Sequence, residues 1–248
     1  MTTTSRTAWW LVLAATATLM VTMGIRQSLG LFVQPIHTGT DLLIGQISFA
    51  LAIAQLIWGA AQPIFGAWAD KRGPGRVLAF GGVLLVAGMA LAPMLTSQWG
   101  LVLTLGILGA AGAGAGSFSV LIGAVAQRIS EQKRSMAAGV INAGGSFGQS
   151  VFAPFAQAVI TTAGWAAGMW ALAATALATL PLAWPLRRRQ SKPASPDAEP
   201  TPPAGIGLSE QLRIAFRDRS YWLLHAGLFT CGFHIAFLVT HLPTEIAL

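Results

Sequence analysis

Long apolar blocks are the feature that most constrains the fold of this chain. Short charged or Gly/Pro-containing breaks separate these blocks, and each block has about the 20 residues that an α-helix needs to cross a hydrocarbon layer. Hydrophobic residues make up 54% of the 248 residues and charged residues only 9%, whereas a soluble domain has about 25% charged residues. The sequence therefore predicts an all-α, polytopic membrane protein and argues against a water-soluble enzyme.

The breaks predict seven membrane-spanning helices and three regions. The first region, residues 1–186, is a six-helix bundle, the second is a connecting loop at 187–219, and the third is a single seventh helix at 220–248. Pro and polar residues dominate the first half of the loop, which indicates a mobile linker. Its second half alternates apolar and charged residues and is expected to lie along the membrane surface. The predicted helices cover residues 8–36, 43–68, 77–97, 99–126, 135–162, 165–186 and 220–248.

Basic residues predict how the chain is oriented. All 15 Lys and Arg residues except Arg26 lie in the N-terminal segment or in alternate loops, on one side of the predicted spans. Because loops rich in Lys and Arg stay in the cytoplasm, we expect a cytoplasmic N-terminus. The expected location is a bacterial plasma (inner) membrane. The same distribution accounts for the net charge of +7 without a folded basic face, so no nucleic-acid partner is predicted.

A distinctive string occupies the loop between the second and third predicted helices. Residues 66–76 read GAWADKRGPGR. The glycines let two helix ends approach closely, and Asp70 offers an acceptor to helix N-terminal amides. A loop whose only role was to keep its flanking helices correctly oriented in the membrane would need neither Asp70 nor three glycines. The string resembles the G-x-x-x-D-[RK]-x-G-[RK]-like loop signature of the major facilitator superfamily, and it falls at the same place, after the second helix.

The resemblance implies a fold and a gate. Members of that family have twelve helices in two six-helix halves, so this chain resembles one N-terminal half plus one helix of the second half, a truncated twelve-helix fold. The family's loop gates the cytoplasmic side by docking against the second half. The gating residues implied here are Gly66, Asp70, Lys71, Gly73 and Arg76.

Two further strings resemble one branch of the family. The first helix has Gly24-Ile-Arg26-Gln-Ser28-Leu-Gly30, and the fifth begins at Arg134 and continues Asn142-Ala-Gly-Gly-Ser146-Phe-Gly148-Gln149. Both are similar to the monocarboxylate and oxalate/formate transporters. The resemblance implies a secondary active transporter that works by alternating access.

Arg26 is the main candidate for substrate binding. It is the single Lys or Arg inside a predicted span, and a charge at that depth costs at least about 2.5–3.5 kcal/mol. A planar guanidinium matches a carboxylate with paired donors, which favours an organic anion as substrate. The alternative is that Arg26 only extends toward the outer surface.

An internal repeat and polar rows complete the predicted site. Gly24-Ile-Arg26 precedes Pro35 with the spacing at which Gly232-Phe-His234 precedes Pro243, so Arg26 and His234 are expected to face each other across a central cavity. For His234 a packing role is the alternative. Polar residues recur at helical spacing on the second and fifth helices, either lining that cavity or bonding between helices. They are Ser48, Gln55 and Gln62 on the second helix, and Asn142, Ser146 and Gln149 on the fifth. From these rows the prediction takes Gln55, Asn142 and Gln149.

Glycines on the fourth and fifth helices predict close helix packing. Gly106, Gly109, Gly112 and Gly116 recur along the fourth predicted helix, and Gly144 and Gly148 lie four residues apart on the fifth. Small residues at such spacing let helix backbones approach in a membrane. We therefore assign these glycines to packing and not to substrate binding.

The predicted function is transport of small organic anions, with monocarboxylates favoured. Protons are the favoured coupling ion, and the sequence leaves this choice open. Two alternatives remain: a non-transporting half that needs a second polypeptide, and transport or efflux of a neutral solute or drug. The sequence has no nucleophile, metal-cluster or phosphate-loop motif, so no enzyme activity, cofactor or metal is predicted. The expected partners are an anionic small molecule, protons and the lipid bilayer.

Overall fold

The first three apolar blocks form long helices. In the computed structural model, residues 3–126, 128–187 and 208–246 are described. The first span is broken by a short 3-10 turn just after Arg26. Its parts are α1 (Thr3–Ser28), the 3-10 turn Leu29–Phe32 and α2 (Val33–Gly39); α3 (Ile44–Arg72) and α4 (Pro74–Leu91) follow, the latter extended by the 3-10 turn Ala92–Met94.

The remaining blocks are helical as well, and the fourth contains a π-helix. This span consists of α5 (Gln98–Leu101), the π-helix Val102–Gly109, α6 (Ala110–Ala115) and α7 (Phe118–Ala126). After it come α8 (Glu131–Ala176), α9 (Thr179–Ala183), the 3-10 turn Pro185–Arg187, α10 (Leu208–Arg217) and α11 (Arg219–Ile246). The prediction of an all-α chain is confirmed for the described residues.

Within the described residues, five apolar stretches are long enough to cross a membrane, and the last of them contains two spans. It runs from Glu131 to Ala183 and has 53 residues. Gly164 interrupts it with φ 86° and ψ 167°, a conformation that only glycine adopts without strain. A Cβ on Gly168 would lie 3.1 Å from the Ile160 side chain, so the chain folds back on itself there. The predicted boundary between the fifth and sixth helices, at residues 163–164, is confirmed.

The loops that contain Lys and Arg gather at one end of the bundle, which we call the basic end. Arg128 donates to the carbonyl oxygens of Pro185 and Leu186 at 3.1 and 3.2 Å. Arg134 donates to the carbonyl of Ala126 at 3.0 Å. Partial burial lowers the pKa of the Arg128 guanidinium by desolvation. These cations bond carbonyls at helix C-termini, where positive charge is stabilising.

The loops without Lys or Arg meet at the opposite end. Gln46 Nε2 donates to Gln98 Oε1 at 3.2 Å, which joins α3 to α5. A Cβ on Gly39 would lie 2.6 Å from the indole nitrogen of Trp165, so α2 ends against the turn that follows Gly164. The structure thus groups the loops into two ends, as the charge pattern predicted.

Glycines set how closely the helices pack. A Cβ on Gly148 would meet the backbone carbonyl of Met20, and one on Gly144 would meet the Thr16 side chain, so α8 packs directly on α1. A Cβ on Gly112 would lie 2.5 Å from the backbone nitrogen of Leu85, so α6 is equally close to α4. The prediction that these glycine rows are packing surfaces is confirmed.

The chain after the bundle is described only from Leu208. α10 is joined to α11 by a hydrogen bond of 3.0 Å from the Trp222 indole to the Phe216 carbonyl. α11 then lies against the 3-10 turn Leu29–Phe32 of the first span. The predicted mobile linker covers residues 187–205, and all of it except Arg187 lies outside the described residues.

Candidate functional site

The centre of the candidate site is a cluster of three side chains from two helices. Arg26 lies in the last turn of α1 and its guanidinium points toward α3. Its Nη2 donates to Oε1 of Gln55, and its Cζ lies 3.9 Å from the centre of the Trp58 ring. A guanidinium over an indole face is a favourable cation–π contact. Gln55 and Trp58 are three residues apart, so they share one face of α3.

Arg26 opens onto a small and mostly apolar cavity. The cavity has a volume of about 30 Å³, which is room for a few water molecules. Its polar side chains are Arg26, Gln55 and Trp58, and apolar residues from four spans form the rest of the wall. Among these are Ile25, Leu51, Leu85, Met89 and Leu105.

The charge of Arg26 has no counter-charge among the described side chains. The structure records its hydrogen bond to an uncharged amide and its stacking on Trp58, and it records no ion pair of Arg26 with any described residue. An unpaired charge in apolar surroundings is costly. The guanidinium points into the bundle. The alternative that the Arg26 side chain only extends toward the outer membrane surface therefore does not account for its position. The arrangement is suited to an anion that enters the cavity.

Trp58 is the residue that the sequence analysis missed. Tryptophans near span ends serve as interfacial anchors, but Trp58 lies in the middle of α3, three residues after Gln55. The sequence does contain a signal for a role in the site, because Trp58 lies in the middle of a span and on its polar face.

The polar row on α3 serves several purposes. Gln62 Oε1 accepts a hydrogen bond of 3.3 Å from Ser119, which joins α3 to α7. Ser48 Oγ is buried without a hydrogen-bond partner among the described residues. Of this row, Gln55 alone contacts Arg26 in the structure.

The other predicted binding residues lie apart from this cluster. Asn142 is exposed and Gln149 half-buried on α8, and neither lines the cavity around Arg26. His234 is exposed on α11, with its Nδ1 2.8 Å from the carbonyl oxygen of Thr230 on the same helix. The structure records no contact between His234 and Arg26. The roles of Asn142, Gln149 and His234 stay predictions.

The gating string forms a tight helix–helix corner at the basic end. Gly73 ends α3, donates to the Ala69 carbonyl at 2.9 Å and has φ 91° and ψ 141°. Pro74 then begins α4, a position that suits proline. Asp70, Lys71 and Arg76 are exposed.

A groove of about 300 Å³ runs beside this corner. Gly66, Asp70 and Gly73 line one wall of it, and Ser119 and Gly123 of α7 line the other. A Cβ on Gly66, Gly73 or Gly123 would meet no atom within 4 Å. The space beside these glycines is therefore wide enough for side chains of another segment.

The corner gives a stability prediction. Gly73→Ala should destabilise the protein by about 1–3 kcal/mol, because a φ of 91° is strained for a residue with a Cβ. Gly66→Ala is the matched control, since Gly66 is helical with open space around it. Thermal unfolding of the purified variants measures both. Equal melting temperatures for the two variants would contradict the strain argument.

The chain is similar to one known family over nearly its whole length. Residues 5–247 match the family model described as Major Facilitator Superfamily. The chain is 28% identical to the oxalate:formate antiporter of Oxalobacter formigenes over 63% of this chain and 37% of the antiporter. It is 28% identical to monocarboxylate transporter 11 of Mus musculus over 92% of this chain and 51% of that protein. It is also 28% identical to monocarboxylate transporter 13 of Rattus norvegicus over 68% of this chain and 39% of that protein.

These relatives bear out the predicted branch. The chain spans about half the length, or less, of the curated relatives it matches. The named relatives are the oxalate:formate and monocarboxylate proteins whose first and fifth helices the sequence resembles.

Proposed function

Because the chain belongs to the major facilitator superfamily, we propose that it forms the N-terminal part of a secondary active transporter for small organic anions, monocarboxylates first among them. The observation behind the proposal is the guanidinium of Arg26, which lies at an apolar cavity without a described carboxylate partner. A transported carboxylate supplies the missing negative charge. The names of the matched relatives support the same substrate class.

Substrate binding in this proposal uses residues from several helices. Arg26 bonds the carboxylate, and Gln55 holds the guanidinium in place through the hydrogen bond to Nη2. Asn142, Gln149 and His234 contribute where the two halves of a facilitator fold face each other, near the middle of the membrane. The exposure of Asn142 and His234 on the chain's surface is compatible with that position.

The gate in this proposal is the corner between α3 and α4. Gly66, Asp70, Lys71, Gly73 and Arg76 dock against the second half when the cytoplasmic side closes. The groove beside Gly66 and Gly73 supports the proposal, because it leaves room for a segment from outside residues 1–186. The proposed domains remain the six-helix bundle at 1–186, the central loop at 187–219 and the seventh helix at 220–248.

The proposed orientation places the basic end in the cytoplasm of a bacterial cell, at the inner membrane. The gathering of Arg128, Arg134 and Arg187 at one end of the bundle supports it through the preference of basic loops for the cytoplasm. Proton coupling is proposed as the driving force, since a carboxylate and a proton together move without net charge.

Uptake into liposomes tests the function. The protein expressed from its own gene is purified and reconstituted, and uptake of radiolabelled lactate or oxalate is measured with and without an inward proton gradient. We expect saturable uptake that unlabelled carboxylates inhibit and that glycerol does not. Protein-free liposomes correct for acid that crosses the bilayer unaided.

The outcomes separate the alternatives. Absence of carboxylate uptake, with the protein shown to be inserted, would favour the non-transporting half that needs a second polypeptide. Uptake that ignores the charge of the solute would favour a neutral substrate or a drug. Carboxylate uptake that a proton gradient does not stimulate would remove proton coupling and leave the substrate class standing.

A further inference from the structure

The indole nitrogen of Trp58 is a buried donor without an acceptor. Nε1 has no hydrogen-bond partner among the described residues, and an indole N–H donates but never accepts. Leaving such a donor unpaired destabilises the folded state. Gln34 Oε1 and Ser48 Oγ are buried and unpaired in the same way, but Trp58 is the one that contacts a cation.

The position of Trp58 relative to Arg26 is fixed from two directions. The guanidinium lies over the indole face at 3.9 Å, and the amide oxygen of Gln55 accepts from Nη2. The N–H bond of an indole lies in the ring plane, so stacking on the face leaves that donor unused. Both Arg26 and Trp58 line the same cavity.

The rest of the cavity wall offers no other side-chain oxygen or nitrogen as an acceptor. Apart from Arg26, Gln55 and Trp58, its lining side chains carry no oxygen or nitrogen, and the Gln55 oxygen, which accepts from Arg26, does not accept from Nε1. A carboxylate that enters the cavity can supply the acceptor that Trp58 lacks. Arg26 and Trp58 are both pure donors, so together they select a group that only accepts.

We propose that Trp58 is a second substrate-binding residue, whose Nε1–H donates to one oxygen of the carboxylate that the paired donors of Arg26 bind. This inference rests on the proposed transport of organic anions. It specifies that the substrate binds as the ionised carboxylate, because a protonated acid or an amide places a donor against these donors. Gln55 is a positioning residue that holds the guanidinium.

Three variants test this role in the liposome assay. Trp58→Phe removes the N–H and keeps an aromatic face for Arg26, whereas Trp58→Leu removes both. Trp170→Phe is the matched control, since its indole N–H bonds the Ala90 carbonyl at 3.2 Å and lies outside the cavity lining. We expect Trp58→Phe to raise the KM for carboxylate roughly 10- to 100-fold, the usual effect of losing a hydrogen bond to a charged group.

The KM values of the three variants, compared with wild type, decide whether Trp58 binds the substrate. The expected result is a raised KM in Trp58→Phe with a maximal rate near wild type, a KM at least as high in Trp58→Leu, and an unchanged KM in Trp170→Phe. If Trp58→Phe transports like wild type and only Trp58→Leu is impaired, the ring merely packs on Arg26 and the proposal is overturned. If the wild-type protein transports no carboxylate, the proposed function itself fails before any variant is compared.

Discussion

Replacing Arg26 with alanine should abolish carboxylate uptake and leave the protein inserted in the membrane. Arg26 provides the positive charge in the cavity of the described bundle, and hydrogen bonds to charged groups contribute about 1.5–3 kcal/mol each. Losing two of them lowers uptake at low substrate concentration at least about 100-fold. Initial rates of radiolabelled lactate uptake in liposomes measure the effect.

Two further variants make the Arg26 result specific. Arg26→Lys keeps the charge but loses the planar pair of donors and the stacking on Trp58, so we expect an intermediate KM. Lys133→Ala removes an exposed cation at the basic end and should leave the KM unchanged. Wild-type KM in Arg26→Ala would show that the substrate binds elsewhere, whatever the effect of Lys133→Ala.

Gly148→Ala should strongly destabilise the bundle. A Cβ at this position would meet the backbone carbonyl oxygen of Met20, and it would lie 2.8 Å from the Cα of that residue. Backbone atoms cannot rotate away as a side chain does, so α8 must shift away from α1. Overpacking of this kind costs about 3 kcal/mol or more, which lowers the melting temperature by about 6–12 °C in a chain of this size.

Gly139→Ala is the matched control on the same helix. Gly139 lies within α8 and has open space where its Cβ would stand. Alanine in a helix interior is favoured over glycine by roughly 0.5–1 kcal/mol, so this variant should melt at or slightly above the wild-type temperature. Tryptophan fluorescence during heating in detergent follows both variants. A similar melting temperature for Gly148→Ala and Gly139→Ala would refute the close approach of α1 and α8.

Much of the helical architecture could be predicted because it follows from local properties of the chain. A run of about 20 apolar residues requires a helix, since backbone groups in lipid must bond within the segment. The predicted break between the fifth and sixth spans, at residues 163–164, contains Gly164, and the structure shows a positive φ there. The glycine rows indicated packing through their spacing, and Gly112 and Gly148 contact the backbones of Leu85 and Met20.

The candidate site could be predicted only in part. Arg26 stood out because a charge inside an apolar block requires a reason. The prediction took Gln55 from a row of polar residues at equal spacing on α3, but that spacing does not explain why Gln55, and not Ser48 or Gln62, contacts Arg26. The difference depends on which neighbour each side chain meets, and that is set by how α1 and the fourth span are rotated against α3.

The sequence by itself determined that the chain is a helical membrane protein, where its spans turn, and which residue brings a charge among them. These properties depend on segment length, glycine conformation and the cost of a charge in lipid, all of which can be inferred from the order of residues in the chain. Only the tertiary structure decided that Arg26 meets Gln55 and Trp58 while Asn142 and Gln149 lie apart from that cavity. Contacts between helices depend on their relative rotation and depth, which are fixed by close packing between distant parts of the chain.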